Sequence, residues 1–191
     1  RRPAAAKEPQ SASATNANWN CPGRLTLIEE ANLPERTSEA ADWGTACHQI
    51  SERCLRSGAD AADFIGTTEK GKKYSFEVDE EMAETAQMYI DYVRKKVAPD
   101  NVLHIEQRFS LASLNPPFEA GGTADAVIYD AKAKTLEVVD LKGGRGVVVE
   151  AAGNPQLRTY ALGAMLANPG LAVGTVTVTI VQPRAGHKDG R

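Results

Sequence analysis

The run LEVVDLKGG places a carboxylate and an ammonium group two residues apart on a strand. Asp140 and Lys142 share one strand face with the apolar Leu136 and Val138, because side chains alternate in direction along a strand. A buried, isolated Asp or Lys is costly, so this pair must reach water, a partner or a metal. Asp-x-Lys by itself is also compatible with an exposed ion pair at the end of a strand.

Asp125 lies in a second apolar stretch, GGTADAVIYD, directly after two glycines that would let a backbone or a ligand approach closely. Alone, it is either a hydrogen-bonded core aspartate or a metal ligand. Asp140, about one hairpin away, favours the second interpretation, since two carboxylates at one sheet edge repel unless a cation lies between them. Hard oxygen ligands of this kind suit Mg²⁺ or Mn²⁺.

Two further stretches carry polar residues that could belong to the same site. Gln156 and Tyr160 in NPQLRTYALGA are four apart and therefore share a helix face, whereas Arg158 points elsewhere, toward phosphate or solvent. An ordinary polar–aromatic pair at a helix start is the alternative. His48 in WGTACHQI and Glu106 in HIEQRF are equally open to ordinary interpretations, a satisfied core histidine and a solvent-facing glutamate.

Capping residues and apolar spacing predict the elements that must position these side chains. Thr37-Ser38-Glu39 begins a helix that runs to about Leu55 and stops near Gly58; Asp79 caps a second helix, which Pro99 ends. Later segments predict strands over 102–111, 122–129, 135–142 and 173–181, and a helix over 155–166. We therefore expect an α/β fold with a mixed central β-sheet flanked by helices, in which a crossover helix allows one parallel pair.

Length and composition predict one globular domain. The chain has 191 residues, of which 42% are hydrophobic and 25% are charged. Residues 1–20 are rich in Ala, Ser, Asn and Pro and are expected to form a flexible arm before a domain over 21–191. The first residue is Arg1 and the last residues look like an interrupted loop, so we expect a fragment truncated at the C-terminus. No apolar run is long enough to span a bilayer, and none resembles a signal peptide, so no membrane partner is expected.

Charge and cysteine content narrow the function classes. The formal net charge of −3 does not indicate nucleic-acid binding by itself. Local basic clusters occur at 70–73, in an expected turn or short hairpin, and at 94–96, where a helix C-terminus favours cations; a solvated face is the ordinary interpretation of each. Three cysteines without a CxxC pair argue against a disulfide framework and a structural zinc site, and favour a reducing, cytoplasmic setting.

Together these features resemble the RecB-like exonuclease group of the PD-(D/E)XK nuclease superfamily. The stretches AADWGTACHQISERCL, GGTADAVIYD, EVVDLKGG and NPQLRTYALGA are further similar to phage-encoded members of this group. The resemblance covers about residues 21–184 and implies a restriction-endonuclease-like core. It also implies a metal-dependent DNA nuclease, an exonuclease of phage DNA recombination or processing. The ordered set that carries it is His48, Glu106, Asp125, Asp140-x-Lys142 and Gln156-x-x-x-Tyr160.

The resemblance implies a role for each position. Asp125, Asp140 and the backbone carbonyl of Leu141 would hold Mg²⁺ or Mn²⁺, with His48 as a further ligand. Lys142 would orient or help to deprotonate the attacking water. Glu106 would lie near the metal or position water. The residues implied to contact the nucleic-acid backbone are Gln156, Tyr160, Arg158 and Arg145.

One departure concerns an iron–sulfur cluster, which some relatives hold with one cysteine before the helix and three near the C-terminus. Cys21 matches only the first of these, and no cysteine follows Cys54, so no cluster is expected. The expected partners are DNA and a protein of phage recombination, in the cytoplasm of the host cell. The alternative is a non-catalytic nucleic-acid-binding or scaffolding module with the same fold, against which the intact Asp125, Asp140 and Lys142 speak.

Overall fold

The computed structural model describes residues 10–32, 37–117 and 119–186, which form one mixed sheet, a separate hairpin and five helices. The helices are α1 (Thr15–Asn20), α2 (Arg24–Ala31), α3 (Glu39–Ser57), α4 (Glu80–Lys96) and α5 (Pro155–Ala167). The strands are β1 (Gln10–Ser11), β2 (Thr68–Lys70), β3 (Ser75–Glu77), β4 (Val102–Ser110), β5 (Ala120–Asp130), β6 (Thr135–Leu141) and β7 (Thr175–Val181).

The main sheet consists of four long strands, to which the two-residue β1 adds an edge piece. β5 pairs antiparallel with β4 on one side and with β6 on the other. β1 pairs in parallel with the first two residues of β5. β6 and β7 are parallel because α5 carries the chain back across the sheet between them. β2 and β3 form a separate antiparallel hairpin. The predicted mixed α/β fold is confirmed. Each predicted strand, and the predicted helix over 155–166, begins and ends within two residues of the observed element.

Helices cover both faces of this sheet. On one face, α3 and α4 bury a core that includes Ile50 and Tyr89 together with Ile128 of β5. On the other face, α5 buries Leu157 against Leu136 and other residues of the sheet. The site residues of β5 and β6 therefore lie between two apolar layers. No helix in the described ranges is both long and apolar enough to cross a membrane.

Local capping explains where the three long helices begin. The side chain of Ser38 accepts a hydrogen bond from the N–H of Ala41, and Asp79 caps α4 in the same way. Asn154 caps α5, and Pro155 occupies its first turn, where a missing N–H costs nothing. Gly58 ends α3 in the left-handed conformation that glycine adopts without strain.

Residues 10–20 differ from the expected flexible arm. They form β1, a 3₁₀ turn and α1, and Ala12 is only 1% exposed in the core beneath α5. Ala12 lies close to Gly122, and two small residues allow the backbones of the two segments to approach. Backbone pairing with β5 requires no apolar periodicity, so composition did not predict it. Residues 1–9 of the expected arm lie outside the described residues.

Gly163 lies where α5 crosses β4, and a Cβ atom there would overlap the buried ring of Phe109. We expect Gly163→Ala to lower the free energy of unfolding by about 1–3 kcal/mol, because overpacking outweighs the gain in helix propensity. Gly44→Ala in α3 is the matched control, since no described atom outside its own helix backbone and neighbouring residues lies within 4 Å of its added Cβ. It should raise the free energy of unfolding by up to about 1 kcal/mol. Urea unfolding followed by circular dichroism measures both. Equal stabilisation of the two variants would contradict the packing of α5 on Phe109.

Candidate metal centre

The register of three strands brings Glu106, Asp125 and Asp140 to one level of the sheet. β4 and β5 pair on both sides of Glu106, and this register places Glu106 across from Asp125. The last pair between β5 and β6 joins Ala126 to Val139, so the next position along places Asp140 across from Asp125 on the other side. Three carboxylates on adjacent strands thus lie near one another.

His48 of α3 completes a compact group with two of these carboxylates. One potential ligand atom from each of His48, Glu106 and Asp125 lies within 4.8 Å of the others. Nδ1 of His48 is 3.4 Å from Oδ2 of Asp125. The fully buried Cys47 and Ile50 fix α3 on the sheet and so hold the imidazole beside these two carboxylates. The structure therefore brings together a helix and two strands at a cluster that spacing along the chain does not reveal.

Asp125 is held by its neighbours on two elements. Its Oδ2 accepts a hydrogen bond of 2.7 Å from the backbone N–H of Leu141. Burial opposes ionisation, but His48 and the bond from Leu141 outweigh it and lower the pKa of Asp125. Because the N–H and C=O of a strand residue point to the same side, the carbonyl of Leu141 also faces the Asp125 side of β6.

Asp140 and Lys142 form a partly buried ion pair beside the cluster. Asp140 is 1% exposed, and Nζ of Lys142 lies 2.8 Å from its Oδ2. No other described group hydrogen-bonds to Oδ2. Burial and the negative charge of Asp125 raise the pKa of Asp140 to about 6. The pair is thus not the exposed strand-end ion pair that Asp-x-Lys also allows.

Glu106 has an unusual backbone conformation for a residue inside a strand. Its φ is 50°, in the left-handed region that a residue with a side chain seldom occupies. Burial and the charge of Asp125 raise the pKa of Glu106 to about 7, although His48 acts in the opposite direction. Such strained backbone persists where the surroundings impose it, and it concentrates at functional sites.

The alternation of strand faces breaks at the same level. In β4, Leu103 packs against the core under α3 and α4, whereas Phe109, six residues on, packs under α5. In β5, Ala126 belongs to the first core and Ala124 to the second, although a regular strand would place both on one face. The break allows the carboxylate of Asp125 to approach β6 and α3 together.

The donor set of the cluster fits a divalent cation. It offers an imidazole nitrogen and the carboxylate oxygens of Glu106 and Asp125, and Asp140, whose buried Oδ2 meets the Lys142 ammonium, lies on the next strand. Burial opposes protonation of His48, but the carboxylates, led by Asp125, outweigh it and raise its pKa to about 9. An excess of negative charge therefore surrounds the imidazole. Oxygen-rich sites of this kind suit Mg²⁺ or Mn²⁺.

Gln156 and Tyr160 contact each other directly on α5. Nε2 of Gln156 donates a hydrogen bond of 2.7 Å to the hydroxyl of Tyr160, as their spacing on one helix face predicts. Tyr160 is 6% exposed, and its ring meets Phe109 edge to face. Burial and the charge of Asp140 raise the pKa of this phenol, so Tyr160 stays neutral beside the ion pair.

The two arginines assigned by resemblance lie in different surroundings. Arg158 is exposed on the outer side of α5, in a groove that Met165 and Val176 also line. Arg145 forms an ion pair with Glu81 of α4, which raises the pKa of its guanidinium. Their contact with nucleic acid stays a prediction.

Arg184 is a residue near this site that sequence reasoning missed. Its guanidinium lies 3.8 Å above the Trp43 ring and donates hydrogen bonds to the Gly143 carbonyl (2.8 Å) and to Glu81 (3.1 Å). It thereby holds the turn after Lys142 against α3 and α4. The order of the strands could have indicated Arg184. Because β6 and β7 are parallel, residues just past their carboxyl ends, such as Gly143 and Arg184, lie close together.

The fold and the site define a mixed α/β protein with a histidine–carboxylate cluster formed by one helix, α3, and two neighbouring strands, β4 and β5. The family model described as "Protein of unknown function (DUF2800)" matches residues 10–190. The chain therefore belongs to the DUF2800 family. The matched range includes every residue of the cluster and the Asp140–Lys142 pair.

We expect Mn²⁺ to raise the melting temperature of the protein. A ligand that binds only the folded state raises the free energy of unfolding by about 2.7 kcal/mol when its concentration is 100 times its Kd. Asp125→Asn should remove most of this increase, because Asp125 is the carboxylate in contact with His48. Asp100→Asn is the matched control; Asp100 is an exposed acid paired with Lys132 on the surface. Differential scanning fluorimetry with Mn²⁺ and with EDTA measures the shift. An equal Mn²⁺-dependent increase in Asp125→Asn and wild type would exclude the cluster as the metal site.

The left-handed backbone of Glu106 predicts a difference between two truncations. Glu106→Gly and Glu106→Ala both remove the carboxylate, but only glycine adopts a positive φ without steric cost. In EDTA, we expect the glycine variant to have the larger free energy of unfolding, by about 0.5–1 kcal/mol. Urea unfolding measures it. A more stable alanine variant would show that the strand is extended at this position.

Proposed function

We propose that the protein is a metal-dependent DNA nuclease of the PD-(D/E)XK superfamily, an exonuclease that hydrolyses phosphodiester bonds in phage DNA recombination or processing. The observation that carries this proposal is the convergence of His48, Glu106 and Asp125 within 4.8 Å, beside the ion pair of the buried Asp140 with Lys142. The order of these residues along the chain and their resemblance to the RecB-like group support the same activity.

The chemistry of the donor set supports a metal-dependent hydrolysis. His48, Glu106, Asp125 and Asp140 would hold the cation, with the carbonyl of Leu141 as a fifth donor. When bound, Mg²⁺ or Mn²⁺ supplies an acidified water and positive charge at the phosphate. The carboxylates fix the position of this charge, because the core on each side of β5 leaves them little freedom to move.

The side chain of Lys142 is accessible to a substrate, and this supports the proposal. Asp140 is nearly fully buried, whereas the Lys142 side chain is 29% exposed and so reaches the surface from a fixed base. Its ammonium group can face a phosphodiester while Asp140 holds it. A preorganised cation stabilises negative charge that develops on the phosphate, and it can orient the attacking water.

The topology supports a restriction-endonuclease-like core. The antiparallel β4–β5–β6 strands carry Glu106, Asp125 and Asp140, and α5 then crosses to the parallel β7. The Gln156–Tyr160 pair lies on that crossover helix, where it can steady the edge of the site next to Asp140.

The same proposal includes the setting. We infer that the protein works in the cytoplasm of a phage-infected host cell, with a phage recombination protein as its partner. The thiols of Cys21, Cys47 and Cys54 are free, which suits a reducing compartment.

End-labelled linear DNA and circular DNA, incubated with Mg²⁺, Mn²⁺ or EDTA, test this function. Wild type should degrade linear DNA only with metal, and Asp140→Asn and Lys142→Ala should each lower the rate by about 10²–10³-fold. The first weakens the hold on the cation, and the second removes positive charge at the reacting phosphate. Lys132→Ala, an exposed lysine in the β5–β6 turn, is the matched control.

Undiminished cleavage by both variants would refute the site assignment. Cleavage of circular DNA would mark an endonuclease. Binding without cleavage under every metal condition would identify a non-catalytic nucleic-acid-binding module.

A further inference from the structure

The hairpin β2–β3 presents a basic turn that the proposed catalysis does not use. Residues 70–74 of this turn, here called the lysine turn, expose the side chains of Lys70, Lys72 and Lys73. Nζ of Lys73 lies 5.2 Å from the centre of the Tyr74 ring. Three cations within four residues stand out on a chain with a net charge of −3.

A buried carboxylate fixes the backbone of the lysine turn. Asp42, only 1% exposed in the first turn of α3, accepts hydrogen bonds from the N–H groups of Lys73 (2.7 Å) and Tyr74 (2.9 Å). Burial opposes its ionisation, but these bonds and one from Thr37 lower the pKa of Asp42 to about 2. A Cβ atom on Gly71 would overlap the Asp42 side chain, so the turn fits closely over this carboxylate.

Two more contacts join the hairpin to the same helix. Nε2 of Gln49 donates to the Lys70 carbonyl at 3.2 Å. Arg53 pairs with the buried Glu69 of β2 at 2.5 Å and also covers the ring of Phe64. Since Gln49 directly follows His48 on α3, the lysine turn and the imidazole of the cluster are attached to one rigid element.

The local charge distribution favours a polyanion over a basic or neutral partner. The two carboxylates that hold the hairpin, Asp42 and Glu69, are buried and directed inward, whereas the three lysine side chains are exposed. Lysine ammonium groups act as point charges for phosphates, and such contacts fix the position of a duplex without reading its sequence. A turn whose backbone is already ordered loses less conformational entropy when it binds.

We propose that the lysine turn binds the phosphate backbone of DNA and holds the strand beside the His48 cluster. The inference rests on the proposed nuclease function for its substrate. It adds a binding site on α3 and the β2–β3 hairpin, away from the Gln156–Tyr160 edge. Contacts of this kind depend on salt, because each phosphate that is neutralised releases counterions.

Fluorescence anisotropy with labelled duplex DNA, in EDTA so that no cleavage occurs, tests this site. The double variant Lys72→Ser/Lys73→Ser should bind about 10-fold more weakly than wild type at low salt. The slope of log K against log salt should become shallower by about 0.9 for each phosphate that the variant no longer neutralises. Circular dichroism checks that the variant, changed only at exposed positions, stays folded.

The matched control is Lys95→Ser/Lys132→Ser, which removes the same charge from exposed positions at the end of α4 and in the β5–β6 turn. It should leave the salt slope nearly unchanged. Equal losses of affinity in the two double variants would overturn the proposal, because net charge alone would explain them. Unchanged binding of Lys72→Ser/Lys73→Ser would also overturn it.

The outcomes separate this inference from the proposed function. Lysine-dependent DNA binding by a wild-type protein that cleaves nothing would support the lysine turn and refute the nuclease. Metal-dependent cleavage by wild type, together with wild-type affinity of Lys72→Ser/Lys73→Ser, would refute the lysine turn and support the nuclease.

Discussion

The arrangement of the site depends on the carboxylate of Asp125. One oxygen accepts the Leu141 N–H of β6 and lies 3.4 Å from His48 of α3. A single side chain therefore links three elements where the regular pairing of β5 with β6 ends. Without this bond the Leu141 N–H would lose its partner, and an unpaired buried donor costs about 1–3 kcal/mol.

Burial of like charges is the second constraint, and it explains the unusual features around Asp125. Asp140 and Glu106 lie on the strands at either side, and their raised pKa values follow from burial and from the charge of Asp125. Lys142 and His48 supply the compensating positive charge. The left-handed backbone of Glu106 and the break in strand alternation occur at this level. The fold thus accepts local strain to bring carboxylates together, which a sheet built only for stability would avoid.

Helix α3 connects this site to the rest of the surface. Its apolar face, with Cys47 and Ile50, is buried on the sheet, and His48 follows directly at the edge of that face. Asp42 on the same helix holds the lysine turn, and Trp43 supports Arg184 and the turn after β6. One amphipathic helix therefore fixes the relative positions of the cluster, the lysine turn and the end of β6.

The sequence by itself determined the elements and most of their order, because Ser38, Asp79 and Asn154 cap helices by local bonds and strand alternation is a local property. It also indicated two candidate metal ligands, since Asp125 and Asp140 interrupt apolar runs. Only the tertiary structure decided that Glu106 adopts a positive φ, that Ala12 packs beneath α5, and that Arg184 meets Trp43. These features arise from contacts between segments far apart in the chain, where register and the packing of distant backbones, rather than local preference, set the conformation.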